Sequence, residues 1–263
     1  MDYLDLQTFL GENSGSVGSE YTSLLGCAPL DLVFVGSVAE GHGTPNSDLD
    51  SYAIVRSSDF TRINDLALDT RSIFPQFNTQ VSGVDVDVRV VSENFLENAI
   101  QSVAEIDYAN SKLRALRYVD KKYHFKQVQE ILGRLYCGTS SQDSLWHKSF
   151  TRSCIDAELF KWFGALSLGE CENKYDDFTG FMEVGDFESG EWQLNFLVSE
   201  CIKLLCFKEH IYIDREKWVP YVSRGSRSTL VGELRGMLVN NASIQSKFDV
   251  CNRAIAEGYQ WIY

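Results

Sequence analysis

The spacing of hydrophobic positions changes once along the chain. Between Leu32 and Val91 the apolar runs are short and rich in β-branched residues. They are Leu32-Val33-Phe34-Val35, Tyr52-Ala53-Ile54-Val55 and the alternating Val84-Asp85-Val86-Asp87-Val88-Arg89-Val90. A period of two in runs this short predicts strands. Weaker helical spacing over 2–10 and 60–73 predicts two helices that cover the sheet, giving an α/β layer. From Ser92 onward the period is helical. Ser92 is placed to cap a helix that carries Phe95, Leu96, Ala99, Ile100 and Val103 on one stripe. Further helices are predicted over 125–137, 145–168, 192–210, 228–239 and 244–261, so the second half reads as a helical bundle. The longest interruption, 169–191, holds eight acidic residues and one lysine. Such a charge run predicts a long solvated loop.

Composition narrows the roles open to this chain. Its 263 residues carry a formal charge of −13 with 44% hydrophobic content, enough apolar material for one large or two modest cores and too much for a disordered chain. An acidic surface repels phosphate backbones, which disfavours a nucleic-acid partner and suits a cationic or neutral one. No apolar run reaches eighteen residues, and Met1-Asp2-Tyr3-Leu4-Asp5 lacks the basic and apolar regions of an export signal. The expectation is a soluble cytoplasmic protein. The seven cysteines are scattered from Cys27 to Cys251 without a Cys-x-x-Cys pair, and read as reduced, mostly buried thiols. Trp146, Trp162, Trp192, Trp218 and Trp261 read as core.

Candidate chemistry begins where the first strand ends, at Gly36-Ser37. The missing Cβ of Gly36 lets a ligand approach the backbone, and the Ser37 hydroxyl can donate to an anion. A Gly/Thr/Pro/Asn loop returns the chain to a second strand. There Asp48 and Asp50, two residues apart, share one face. Carboxylates held this close repel each other unless cations lie between them, and hard oxygen donors favour magnesium. A third acid is available from the later strand, where Asp85 and Asp87 share one face and Val86, Val88 and Val90 the other. Three carboxylates beside a glycine-serine cradle suit two-metal phosphoryl transfer.

This combination resembles the nucleotidyltransferase superfamily that includes DNA polymerase β, the tRNA CCA-adding enzymes and the aminoglycoside and lincosamide nucleotidyltransferases. The family pattern is a hydrophobic strand, Gly-Ser, a glycine four or five residues on, then Ser-Asp, a hydrophobic residue, Asp and a further hydrophobic residue. Gly36, Ser37, Gly41, Ser47, Asp48 and Asp50 fill it. Ser51 stands where a hydrophobic residue is usual, and Glu40 where many members have a basic or aromatic one. The family's third acid lies on a later strand whose pattern is met by Val86-Asp87-Val88-Arg89-Val90-Val91, which points to Asp87, with Asp85 as the alternative two residues back. The resemblance spans residues 30–95; the helical half resembles the C-terminal bundles of small-molecule members only loosely.

The resemblance implies an α/β nucleotidyltransferase domain over 1–115, a small mixed sheet with flanking helices, followed by an all-α bundle over 116–263 that binds substrate and nucleotide. It implies transfer of a nucleoside monophosphate, AMP from ATP, to a hydroxyl of a small acceptor. Asp48, Asp50 and Asp87 would be catalytic and would hold two Mg2+ ions, while Gly36, Ser37 and Ser47 would contact the nucleotide. Lys217, just past a bundle helix, could add a phosphate contact. The net charge favours a cationic acceptor. A tRNA or protein acceptor and a non-catalytic nucleotide-binding module remain open. A tRNA enzyme would need a basic stripe, for which only Lys112, Arg114, Arg117, Lys121, Lys122 and Lys126 qualify; a solvated helix face is the preferred reading of those, with neutralisation of the triphosphate as the alternative. His42 reads as an ordinary loop histidine. The 169–191 segment is expected to close over the acceptor.

Overall fold

The computed structural model describes residues 6–44, 47–66, 74–81, 83–110, 123–141, 144–240 and 242–263. They divide into two compact units, one of Met1–Gln101 with Glu130–Asp156, the other of Ser102–Gln129 with Ala157–Tyr263. The boundary expected between 115 and 116 lies outside the described residues.

The first unit opens with α1 (Leu6–Leu25), longer than the helix expected over 2–10. Gly11, Gly15 and Gly18 mask the pattern. The buried Leu6, Phe9, Leu10, Val17, Tyr21 and Leu25 nonetheless fall on one helical stripe. Strand β1 (Asp31–Val35), the short α2 (Gly36–Ala39) and β2 (Leu49–Val55) follow, then α3 (Ser57–Leu66), β3 (Gln76–Val81), β4 (Val84–Ser92) and α4 (Glu93–Ala104). As the sequence predicts, Ser92 caps α4, its hydroxyl accepting from the Phe95 amide at 3.3 Å. Beyond α5 (Phe125–Cys137), β5 (Thr139–Ser140) returns to the sheet and α6 (Leu145–Asp156) closes the unit.

The sheet is five-stranded and mixed, in the order β3-β4-β2-β1-β5. Strands β2 and β4 run parallel and the other pairs antiparallel. One face, with Phe34, Leu49, Ala53, Val55, Val86, Val88 and Val90, forms a single core with α1 and with Ile63 of α3. The departure at Ser51 is met inside that core. Its hydroxyl and that of the fully buried Tyr21 share a 2.7 Å hydrogen bond, so neither polar group is left without a partner. Burial pushes the Tyr21 phenol up to about 12. Strands β3 and β5 lie outside the sequence expectation. The first, Gln-Phe-Asn-Thr-Gln-Val, alternates but is too polar to register as a strand by hydrophobicity, and the second has only two residues.

The second unit is helical: α7 (Leu159–Glu183), α8 (Phe187–Lys208), the single turn α9 (Val219–Val222), α10 (Thr229–Val239) and α11 (Ile244–Ile262), with 3-10 turns at Glu216–Trp218 and Ser223–Gly225. Two expectations are corrected here. The helix expected over 145–168 is two helices, broken at Ala157 and at Glu158, whose φ is +53°. The acidic 169–191 segment is no loop, because α7 continues through it to Glu183. Leu168, Cys171, Tyr175, Phe178 and Met182 carry the helical stripe onward, with Leu168, Cys171 and Phe178 buried, and glutamate and lysine between them favour helix. The chain breaks only at Val184-Gly185, where Gly185 has φ +78°, and Asp186 caps α8 by accepting from the Ser189 amide at 3.1 Å. Trp162 is wholly buried, but Trp192 is not core. All seven cysteines are free, five of them buried. Among the described residues no helix is long and apolar enough to cross a membrane.

Candidate functional site

At the end of β1 the chain must turn while leaving room beside it. Gly36 does both. Its φ of +76° is a conformation that side chains disfavour, and a Cβ there would lie 2.7 Å from Oδ2 of Asp50. Ser37, half-buried in the first turn of α2, accepts at its carbonyl from the His42 amide at 2.9 Å. His42 is buried, with Nε2 3.9 Å from the carboxylate of Glu40. Glu40 thus faces an imidazole. The returning loop is tied by Ser47, whose amide donates to the Thr44 carbonyl and whose hydroxyl accepts from the Thr44 amide at 2.8 Å. Ser47 therefore acts in the structure as a loop brace directly before Asp48.

The sheet register brings two of the three acids together. Asp50, on β2, lies opposite Asp87, on β4, in the parallel pairing, and paired residues of parallel strands present their side chains to the same face. Asp48 is exposed just ahead of β2 and acts electrostatically on Asp87. Burial, reinforced by Asp48 and partly offset by Arg89, holds the Asp87 carboxyl above the usual carboxylate range. Asp85 is placed differently: it is exposed, pairs with Gln80 across β3, and accepts from the Gln80 side-chain amide at 2.8 Å.

The sequence did not single out the cations that answer these acids. Arg134 of α5, only 4% exposed, places Nε 3.5 Å from Glu130 and Nη1 4.0 Å from Oδ2 of Asp50. Arg89 donates to the Tyr52 hydroxyl at 3.0 Å and to Glu130 at 3.3 Å, with its guanidinium 5.5 Å from the centre of the Tyr52 ring. A continuous chain thus runs Tyr52, Arg89, Glu130, Arg134, Asp50. The available signal was an arginine set among Val128, Ile131, Leu132 and Leu135, the buried positions of an otherwise apolar helical stripe.

Lys217 belongs to the second unit, on the 3-10 turn, its ammonium 4.9 Å from the centre of the Trp218 ring. Lys112, Arg114, Arg117, Lys121 and Lys122 lie outside the described residues, and Lys126 is exposed on α5.

Among the described residues no group of three His, Cys, Asp or Glu side chains is arranged to hold a metal ion. The donors around Asp50 still suit magnesium in kind, being hard carboxylate oxygens. The repulsion of Asp87 by Asp48 is of the kind a cation between them would relieve. Asp50 already has a positive neighbour in Arg134.

No family model and no curated protein matches the chain. Among solved structures it is similar to a nucleotidyltransferase-like protein from Exiguobacterium sibiricum 255-15, at a TM-score of 0.49 and 8% identity, with 94% of this chain and 74% of that one covered.

Proposed function

We propose that the chain is a magnesium-dependent nucleotidyltransferase that moves AMP from ATP to a hydroxyl of a small cationic molecule and releases pyrophosphate. One observation carries the reading: Asp50 and Asp87 stand opposite each other in parallel register beside a glycine whose missing Cβ leaves the Asp50 carboxylate uncovered. Asp48, Asp50 and Asp87 would hold the magnesium ions, which when bound neutralise triphosphate charge and activate the acceptor hydroxyl.

The remaining roles belong to the chain's own residues. Gly36 leaves room at the turn for the Asp50 carboxylate, and Ser37 offers a hydroxyl to a phosphate oxygen beside it. Asp87 receives the acceptor's proton as the hydroxyl oxygen bonds to the α-phosphorus and the bond to the β-phosphate oxygen breaks. Arg134 and Glu130 hold Asp50 in place from α5. The formal charge of −13 supports a cationic acceptor.

The test is mass spectrometry of products after incubation with each NTP, Mg2+ and a panel of hydroxylated amines. The expected result is an acceptor heavier by AMP together with pyrophosphate, and turnover reduced about 10³-fold in Asp50→Asn, which removes one stabilising charge and keeps the side chain's shape. Full turnover in that variant would reject the site. Labelling of tRNA or of a protein instead would replace the small acceptor, and magnesium-independent nucleotide binding without transfer would favour a binding module.

A further inference from the structure

Four of the exposed large apolar side chains of the helical unit gather at one place, the turn between α7 and α8. Phe181, Val184, Phe187 and Trp192 are 37%, 79%, 60% and 68% exposed. A single exposed apolar residue is ordinary, but a cluster marks an interaction site. Beside the turn is a crevice of about 350 Å³ lined by Phe181, Glu188, Ser189, Trp192 and Gln193. Its walls are fixed from behind. Trp192 meets Phe196 edge to face at 5.9 Å, the Gln193 side-chain amide donates to Asp177 at 2.8 Å, and Gly190 lets α8 close on Met182.

The rim is acidic. Glu183, Asp186 and Glu188 are exposed at the turn, whereas Glu191 is answered by Lys247 at 3.6 Å. This charge selects among occupants. A second copy would press one acidic rim against another in a protein of charge −13, and anionic lipid or nucleic acid would meet the same repulsion. A cationic segment would not.

We propose that the tip of the α7–α8 hairpin is a docking surface for a basic segment of a partner protein that carries an apolar anchor. The anchor fills the crevice between Phe181 and Trp192, and lysine or arginine beside it faces Glu183, Asp186 and Glu188. Aromatic anchors give such contacts their lifetime, and the rim charge sets approach and choice of partner.

The probe is a fluorescently labelled eighteen-residue peptide of leucine and lysine at helical spacing, titrated with the full chain and followed by anisotropy, beside the same peptide with glutamate for lysine. The lysine peptide is expected to bind and the glutamate peptide not. Trp192→Ala, at an exposed position that leaves the circular dichroism unchanged, should weaken binding at least about tenfold, the scale of losing an interface anchor. Glu183→Gln with Glu188→Gln should weaken it about threefold and flatten its salt dependence. Phe187→Ser provides a second, independent removal of apolar surface, expected to act like Trp192→Ala. Equal binding of both peptides, no binding of the lysine peptide, or binding indifferent to Trp192 and Phe187 would overturn the proposal. So would self-association by sedimentation that Trp192→Ala abolishes, or stronger binding to phosphatidylserine vesicles than to the peptide.

Discussion

The carboxylates at the head of β2 and β4 and those of the α7–α8 hairpin occupy opposite settings. Asp50 and Asp87 are fixed to each other by strand register, with Asp48 acting on Asp87 and the buried Arg134 behind Asp50. They cannot separate without breaking the sheet. Six of the eight hairpin acids, Asp176, Asp177, Glu183, Asp186, Glu188 and Glu191, are exposed, with water to screen them. Constraint, more than charge density, makes acids chemically useful. Repulsion enforced by the backbone raises the affinity of the set for a proton or a cation, whereas repulsion between mobile exposed side chains relaxes into solvent.

Removing the internal cation should break this contrast most strongly. Arg134→Ala takes the buried cation from Asp50 and leaves Glu130 with Arg89 alone, a change that costs about 3 kcal/mol, the lower end for such pairs, since both acids are partly exposed. The expected outcome is a melting temperature lower by about 6–12 °C, read by calorimetry. A drop below about 2 °C would mean that the sheet acids are as relaxed as those of the hairpin. A smaller effect is expected from Gly36→Ala. The left-handed φ costs about 1–2 kcal/mol for a side chain, and the new Cβ must displace the Asp50 carboxylate, 2.7 Å away. Melting should fall by about 2–8 °C, with turnover reduced at saturating nucleotide because Asp50 has moved. Unchanged turnover would uncouple Gly36 from Asp50.

How far this site was legible depended on which kind of signal each residue left. Gly36, Asp48, Asp50 and the alternation around Asp87 are local patterns, and the first strand, Ser92 cap and late helices are equally local. Register is not local. Only the pairings of β4 with both its neighbours show that Asp87 faces Asp50 of β2 while Asp85 faces Gln80 of β3. Arg134 is separated from Asp50 by 84 positions of sequence, and its one trace was a charge inside an apolar stripe. The hairpin reads as a loop in sequence because its eight acids outweigh the stripe of Leu168, Cys171, Tyr175 and Phe178. Charge reports solvent exposure, and an exposed helix face satisfies it as well as a loop does.

A finer test follows from the Asp87 carboxyl. Its raised proton affinity means that its contribution to stability is fully present below the unfolded carboxylate range, near pH 3.9, and is lost as pH rises through its folded value. At neutral pH the ionised group is therefore a cost. Asp87→Asn in chelator should stabilise the fold at pH 7, by less than about 1 kcal/mol because water still screens a half-buried group. The gain should shrink toward pH 4 in denaturant titrations. A gain independent of pH would remove charge as its cause.

The smallest expected effect separates charge density from position within the hairpin itself. Glu183 ends α7, where the partial negative charge of the helix terminus repels it, and Glu188 lies in the first turn of α8, where the partial positive charge attracts it. If mutual repulsion among the eight acids governed this region, Glu183→Gln and Glu188→Gln would both stabilise. If the acids are relaxed in solvent and feel mainly their own helix ends, the two changes act with opposite sign. Glu183→Gln should raise the melting temperature and Glu188→Gln lower it, each by about 1 °C, since exposed charges at helix termini contribute only a few tenths of a kcal/mol. Both shifts should fade in 1 M salt, where the screening length falls to about 3 Å. Two shifts of the same sign would place the hairpin acids under the same enforced repulsion as Asp87, and the contrast between the two regions would fail.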